Sequence, residues 1–339
     1  MDNMVENSTL FVASLGWDKL IEVPEEFLAK NQLTKAGCSV ANDDEAFKRL
    51  WKEAKEAYKK LGSSCGGSGA NLMLPYAVLG HRCAILSKCG MEGEKYREKL
   101  SEHLSGLGVE AMLIPSCLPT LTVLCFLTPD RERTMVVRLG AITEFPIEEF
   151  PSEGLNKYTH WHLDGYMYRY PDVTAKCIDT ALTNQATLSI NLPTASITKQ
   201  LKELFNANIS KYHYIFGNRE EILELTGKQT MEEALGSFAL HQTIAVTNGA
   251  EACWVKPKGE VFGKSYPVPE IAPELILNKT GAGDIWAGVY LALSMRDFDP
   301  QTCVDQANKA AGSWIKTAPG KMSAQEKITR ILRDNNLLP

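Results

Sequence analysis

Asp284 closes the run Asn278-Lys279-Thr280-Gly281-Ala282-Gly283-Asp284, immediately before the apolar stretch Ile285-Trp286-Ala287-Gly288-Val289-Tyr290-Leu291-Ala292-Leu293. Glycine at 281 and 283 frees the backbone to turn tightly, so that successive N–H groups at a helix start converge on one anion. A carboxylate at the same spot is kept ionised by the helix dipole. It is then placed to accept the proton of a hydroxyl that attacks a phosphoryl group held there. The plainer reading is a glycine turn with a capping Asp, since both residues are common at helix starts.

A second glycine cluster, Gly66-Gly67-Ser68-Gly69-Ala70-Asn71, precedes a helical stretch from Leu72 to Leu79 that contains Pro75. Close backbone approach to a polar ligand is its functional reading, and a surface loop is the bland one. Neither cluster is a dinucleotide fingerprint, because Leu72 and Trp286 stand where the third glycine belongs, and no Gly-x4-Gly-Lys-Ser/Thr run exists. Asn218-Arg219-Glu220-Glu221 reads as a capping box, and Thr247-Asn248-Gly249 as a two-residue hairpin turn. His160, His162 and Asp164 alternate along a strand-like segment and share one face. That spacing suits a metal site, while buried histidines are the ordinary alternative.

These residues need elements to carry them. Short β-branched or apolar runs alternate with helical stretches from about Arg82 onward: Ala84 to Leu86 before Glu94 to Leu104, Thr187 to Ile190 before Ser196 to Phe205, Tyr214 to Phe216 before Asn218 to Leu225. Alternation of this kind marks an α/β fold with a mostly parallel sheet, whose ligands sit at the carboxyl ends of strands. One stretch breaks it: Leu121 to Leu127 and Met135 to Leu139 flank the turn Thr128 to Arg133, a hairpin without a helical neighbour. With strand-like Phe11 to Gly16 and the segment before Gly66, it is expected to form a small β lobe that acts as a lid. Helices Asp284 to Met295, Val304 to Lys316 and Ala324 to Asp334 finish the chain.

Composition sets the outer limits. A net charge of -5 leaves no basic surplus for a nucleic-acid polymer or an anionic membrane. The polar, acidic start Met1 to Asn7 lacks the pattern of a secretory signal, and no apolar run reaches membrane-spanning length. Nine scattered cysteines without a Cys-x-x-Cys pair suggest neither a disulfide framework nor a zinc site. A cytoplasmic protein is expected.

Taken in order, the pieces resemble the PfkB family of carbohydrate and nucleoside kinases across nearly the whole chain. Asp18 in Gly16-Trp17-Asp18, Gly66-Gly67-x-x-x-Asn71, the lid hairpin, Asn218-x-x-Glu221 and Gly281-Ala282-Gly283-Asp284 fall where that family has them. Pro24 to Leu33, the Asn of Ile190-Asn191-Leu192 and Phe216-Gly217-Asn218 look closest to adenosine-kinase-like members. Departures stand at Asn278-Lys279, where Asp-Thr is usual, at Ala13-Ser14 for Gly-Asn, and at Met91 for Asp.

The resemblance implies a ribokinase-like three-layer α/β/α domain over 1–339, its lid built from parts of 14–68 and 118–142. It implies ATP and Mg²⁺ as cofactors and transfer of the γ-phosphate to a hydroxymethyl group. Asp284 would be the base, with Gly281, Ala282 and Gly283 cradling developing charge and Arg133 reaching in from the lid. Asp18, Gly66, Gly67, Asn71 and Tyr166 would hold the acceptor, a nucleoside or a sugar. Asn191, Asn218, Thr247, Gly249, Thr280 and Asn308 would line the nucleotide site, and Glu221 would organise the metal. Trp161, Tyr166 and Tyr168 are the aromatics expected to wall a nucleobase. A sugar kinase of ribokinase or fructokinase type, and a catalytically silent binding homologue, are the rival readings. A monomer or homodimer is expected.

Overall fold

The computed structural model describes residues 8–91, 94–318 and 322–338. In chain order the strands are β1 Ser8–Val12, β2 Gly16–Glu22, β3 Cys38–Val40, β4 Lys60–Gly66, β5 Arg82–Gly90, β6 Val109–Ser116 and β7 Leu121–Leu127. They continue with β8 Arg133–Arg138, β9 His160–Asp164, β10 Thr187–Asn191, β11 Tyr214–Asn218, β12 Thr243–Thr247, β13 Ala252–Lys256 and β14 Lys264–Pro267. Nine of them form one sheet in the order β14-β13-β12-β11-β10-β9-β1-β5-β6. It is parallel from β6 to β12, and β13 and β14 add an antiparallel edge.

The centre of this sheet is apolar on both faces. Leu10 and Val12 of β1 belong to one core cluster and the intervening Phe11 to another, so helices must cover both sides. The helices Ser68–Val78, Ala282–Ser294, Pro300–Ile315 and Ala324–Asp334 supply the first core, and Pro171–Thr183 and Arg219–Thr226 the second. Helix Ala282–Ser294 buries every residue from Ile285 to Leu293. It approaches helix Ser68–Val78 closely, since a Cβ on Gly288 would fall 2.1 Å from the Leu72 carbonyl oxygen. That contact brings the two glycine-rich helix starts together.

The remaining strands form a five-stranded sheet in the order β3-β8-β7-β2-β4. The hairpin β7–β8 is as expected, but Phe11 lies in the main sheet, and the lobe's strand is β2, beyond the turn at Ala13 to Leu15. The lobe also has helical neighbours. Helix Asp44–Ala57, capped by Asp43 on the Ala46 N–H at 2.6 Å, and helix Glu25–Lys30 give it a core of Ile21, Phe27, Leu28, Phe47, Leu124, Phe126 and Val136. The helix expected at Ser196 to Phe205 is two, Ala195–Gln200 and Lys202–Asn208. The connection after Thr247 runs through Asn248 to Glu251, longer than a two-residue turn, and is closed by the Glu251 N–H on the Asn248 carbonyl at 3.2 Å.

Candidate active site

Because the strands run parallel, their carboxyl ends form a row: Thr247 of β12, Asn218 of β11, Asn191 of β10, Asp164 of β9 and Ser14 just beyond β1. At about 4.8 Å between strands the row spans about 19 Å, enough for a phosphate chain and an acceptor end to end. Helix Ala282–Ser294 points its N-terminus at this row. Gly281 caps it with φ 75°, a left-handed conformation that any other L residue adopts only with strain, and no side chain satisfies the first-turn N–H groups. Gly283 is exposed, and a Cβ there would meet nothing within 4 Å, so the space above these N–H groups is open.

Asp284, in that first turn, accepts from Ser68 Oγ at 2.6 Å on Oδ1 and from Asn71 Nδ2 at 3.3 Å on Oδ2. The helix dipole does not keep it fully ionised as expected: burial pushes its carboxyl up to about 7, while Ser68 and Asn71 pull against that shift and the Asp164 charge adds to it. Asp284 still shows part of its surface at the mouth of the site.

The acceptor-side residues lie toward β1 and the lid. Asp18 of β2 packs over Gly66, where a Cβ would fall 2.6 Å from Oδ2. Burial lifts Asp18 to about 6 and the Arg133 charge lowers it, which places Arg133 of β8 near the same carboxylate. Arg133 Nε has no hydrogen-bond partner among the described residues. Asp164, read from sequence with His160 and His162 as a metal-site candidate, holds this corner together. It is buried and accepts from Gly69 N–H at 3.4 Å and Tyr166 N–H at 3.1 Å. Tyr166 is part-buried with the Arg169 guanidinium 5.4 Å over its ring.

Toward β11 and β12, Asn218 and Glu221 make a complete capping box on helix Arg219–Thr226. Both Glu221 oxygens accept from Asn218, at 2.8 Å each, and burial pushes the carboxyl to about 7, with Asp284 adding to the rise. Thr247 and Gly249 sit beside them, Gly249 exposed. Thr280 is exposed and receives the Trp314 indole N–H on its carbonyl at 2.9 Å.

Several expectations change. Asn308 is buried with its amide spent on Trp286 Nε1 at 2.8 Å and the Pro267 carbonyl at 3.3 Å. Asn191 is likewise spent, donating to Ser68 Oγ at 2.7 Å and accepting from His162 at 2.9 Å. Trp161 and Tyr168 are core residues of the second cluster, Tyr168 bonded to Tyr212 and packed on Phe205, so neither walls a pocket. The histidines are hydrogen-bonded into β10, and among the described residues no group of three His, Cys, Asp or Glu is set to hold a metal. A small cavity at the ends of β1 and β5, with room for about one water, is lined by Ser14, Ser87, Ile142, Phe145, Met167 and Tyr170. Phe145 and Tyr170 face each other edge-on at 6.4 Å. No periodicity marked them, because both lie in irregular segments.

A doubly covered parallel sheet, a small second sheet beside its carboxyl edge and a glycine turn presenting a carboxylate there define a ribokinase-like phosphotransferase. Residues 40–327 match the description pfkB family carbohydrate kinase, and the chain belongs to that family. The nucleoside kinase of Methanothermobacter thermautotrophicus is 22% identical over 250 residues, covering 73% of this chain and 77% of its own length. A probable sugar kinase from Rhizobium etli superposes with TM-score 0.81 at 24% identity, over 99% of this chain and all of that one. Adenosine kinase from Anopheles gambiae, solved with P1,P4-di(adenosine-5) tetraphosphate, gives 0.78 at 19% identity over 93% of this chain and 98% of its own.

Proposed function

We propose that this kinase transfers the γ-phosphate of ATP to the hydroxymethyl group of a nucleoside, with Asp284 as base. One observation carries the reading: Asp284 lies over β10, tied to Asn191 through Ser68, between Asp18 and Asn71 on one side and Asn218, Glu221 and Thr247 on the other. Phosphoryl transfer asks mainly for alignment and charge neutralisation, and a base midway between donor and acceptor meets the first demand. The open N–H at Gly283 suits a phosphate, and Arg133 adds a cation from the lid.

Glu221, whose carboxylate shares its field with Asp284, fits a role in ordering the water shell of Mg²⁺. When bound, that ion would offset phosphate charge, with Glu221 the residue that would order its water. Asn191 and Asn308 shape the site from beneath rather than touch the nucleotide.

The part-buried Tyr166, beside Asp164 and Asp284, supports a nucleoside over a bare sugar, since base-to-aromatic stacking of roughly 1 to 3 kcal/mol favours it about tenfold to a hundredfold. The cavity among Ser14, Ser87 and Phe145 has room for about one water, and the Ser87 hydroxyl in it is engaged by the Leu15 N–H and the Lys88 carbonyl. Lys88, also there, is paired with Glu149, so its charge is already met. The cytoplasm fits nine cysteines that are all free. Initial-rate assays of ATP consumption against purine and pyrimidine nucleosides, ribose, fructose and 2-keto-3-deoxy sugar acids test the reading. A purine nucleoside is expected to give the highest kcat/KM, and a free sugar outpacing every nucleoside would leave the kinase and remove the nucleoside.

A further inference from the structure

Parallel strands β9 and β10 are in register Thr187 with His160, Ser189 with His162 and Asn191 with Asp164. The polar side chains of these positions zigzag across the gap in one continuous series. Thr187 Oγ1 lies 2.7 Å from His160 Nδ1, His160 Nε2 lies 2.7 Å from Ser189 Oγ, and Ser189 Oγ lies 2.8 Å from His162 Nδ1. His162 Nε2 then lies 2.9 Å from Asn191 Oδ1, Asn191 Nδ2 donates to Ser68 Oγ at 2.7 Å, and Ser68 donates to Asp284 Oδ1 at 2.6 Å.

The proton positions follow from the acceptor end. Asp284 accepts, so the Ser68 hydroxyl is spent on it and Ser68 Oγ accepts from the Asn191 amide. That orientation turns Asn191 Oδ1, an acceptor only, toward His162, whose Nε2 therefore carries a proton. Burial holds His160 near 3 and His162 near 4, so both rings are neutral above pH 5. A neutral ring with its proton on Nε2 accepts at Nδ1, which fixes the Ser189 hydroxyl toward His162 and the His160 Nε2–H toward Ser189. Every bond in the series then donates in one direction, and the series ends on the carboxylate.

We propose that His162, acting through Asn191 and Ser68, is a positioning residue for Asp284, the last acceptor of a one-way hydrogen-bond chain rooted in the core of the sheet. The inference rests on Asp284 as base. A chain whose members polarise one another strengthens its final O–H···O⁻ bond, and donation to a carboxylate favours the ionised form. It also holds Oδ1 to the protein and leaves Oδ2, with only the long Asn71 contact, for the acceptor's proton. The other ionisable groups around Asp284 are Asp164 at the end of β9, Tyr166 after it and Glu221 on helix Arg219–Thr226. Asp164 and Glu221 disfavour its charge, so the chain and Asn71 are what oppose them.

The test follows the Asp284 carboxyl by carbon-13 NMR on protein labelled at Asp Cγ, its signal assigned by loss in Asp284→Asn, beside the acid limb of kcat/KM. Ser68→Ala is expected to raise the Asp284 pKa by about one unit, and His162→Leu by about half a unit. His162→Gln, which keeps a donor at the Nε2 position, is expected to titrate as wild type does. Ser189→Ala, a smaller change that cuts the chain one bond further back, serves if His162→Leu does not fold, and is expected to move the titration upward too. An unchanged titration in Ser68→Ala, a shift there that neither His162→Leu nor Ser189→Ala shares, or a His162→Gln shift equal to that of His162→Leu would each overturn the chain. Full turnover by Asp284→Asn would remove the base instead, and leaves the NMR comparison intact.

Discussion

At the scale of single residues the site is a set of carboxyls held against their preference. Asp18 and Asp164 are raised to about 6 and Glu221 and Asp284 to about 7, burial leading each time. A carboxyl whose folded value exceeds its unfolded one binds more protons when folded, so it costs stability as pH rises from the unfolded value through the folded one. Asp284→Asn removes one such charge. The variant is expected to melt above wild type at pH 8, with the gap closing near pH 4, in thermal scans of free enzyme. Its kcat is expected to fall by roughly 10²-fold or more, as for loss of a general base, while ATP affinity stays within a few-fold. Near wild-type kcat would remove the base assignment. In wild type, kcat/KM is expected to fall as pH drops below about 7, because a protonated Asp284 cannot accept.

At the scale of elements, two helix starts do most of the placing. Helix Ala282–Ser294 is apolar nearly all round and helix Ser68–Val78 carries Ser68 and Asn71, so their close crossing at Gly288 and Leu72 sets the Asp284 contacts. Gly288→Ala must push backbone aside, and overpacking of this kind costs about 1–3 kcal/mol. Chemical denaturation is expected to show that loss, together with a kcat reduction larger than any rise in KM; unchanged kcat would separate the crossing from the site. The capping box makes a cleaner separation on helix Arg219–Thr226. Glutamine serves a capping box as well as glutamate. Glu221→Gln, which also removes a buried charge, is therefore expected to melt no lower than wild type at pH 8 and to raise the Mg²⁺ concentration for half-maximal rate several-fold. A Mg²⁺ titration matching wild type would leave Glu221 as a cap alone.

At the scale of the whole molecule, the small sheet stands over the carboxyl edge of the large one and brings Asp18 and Arg133 to it from a separately cored unit. A cation carried by such a unit counts most when the two sheets are closed on substrate. Arg133→Ala is expected to lower kcat more than it raises the acceptor KM in steady-state assays, and the reverse split would make Arg133 a simple binding contact. The layered fold, the glycine turn, the capping box and the order of the motifs were legible in sequence because each is written in neighbouring residues: alternation, Gly281 to Asp284, Asn218 to Glu221. The lobe's own helices were not read, although Asp43 and the amphipathic run after it carry a start signal. Nothing local distinguishes Trp161 and Tyr168, sealed in the core, from Tyr166, which stays part-exposed beside Asp164. The sequence by itself determined which chemical groups are present and which turns present them. Only the tertiary structure decided that His160, His162, Ser189, Asn191 and Ser68 run in one chain to Asp284, because strand register and helix crossing bring together residues up to 216 positions apart in sequence, Ser68 to Asp284.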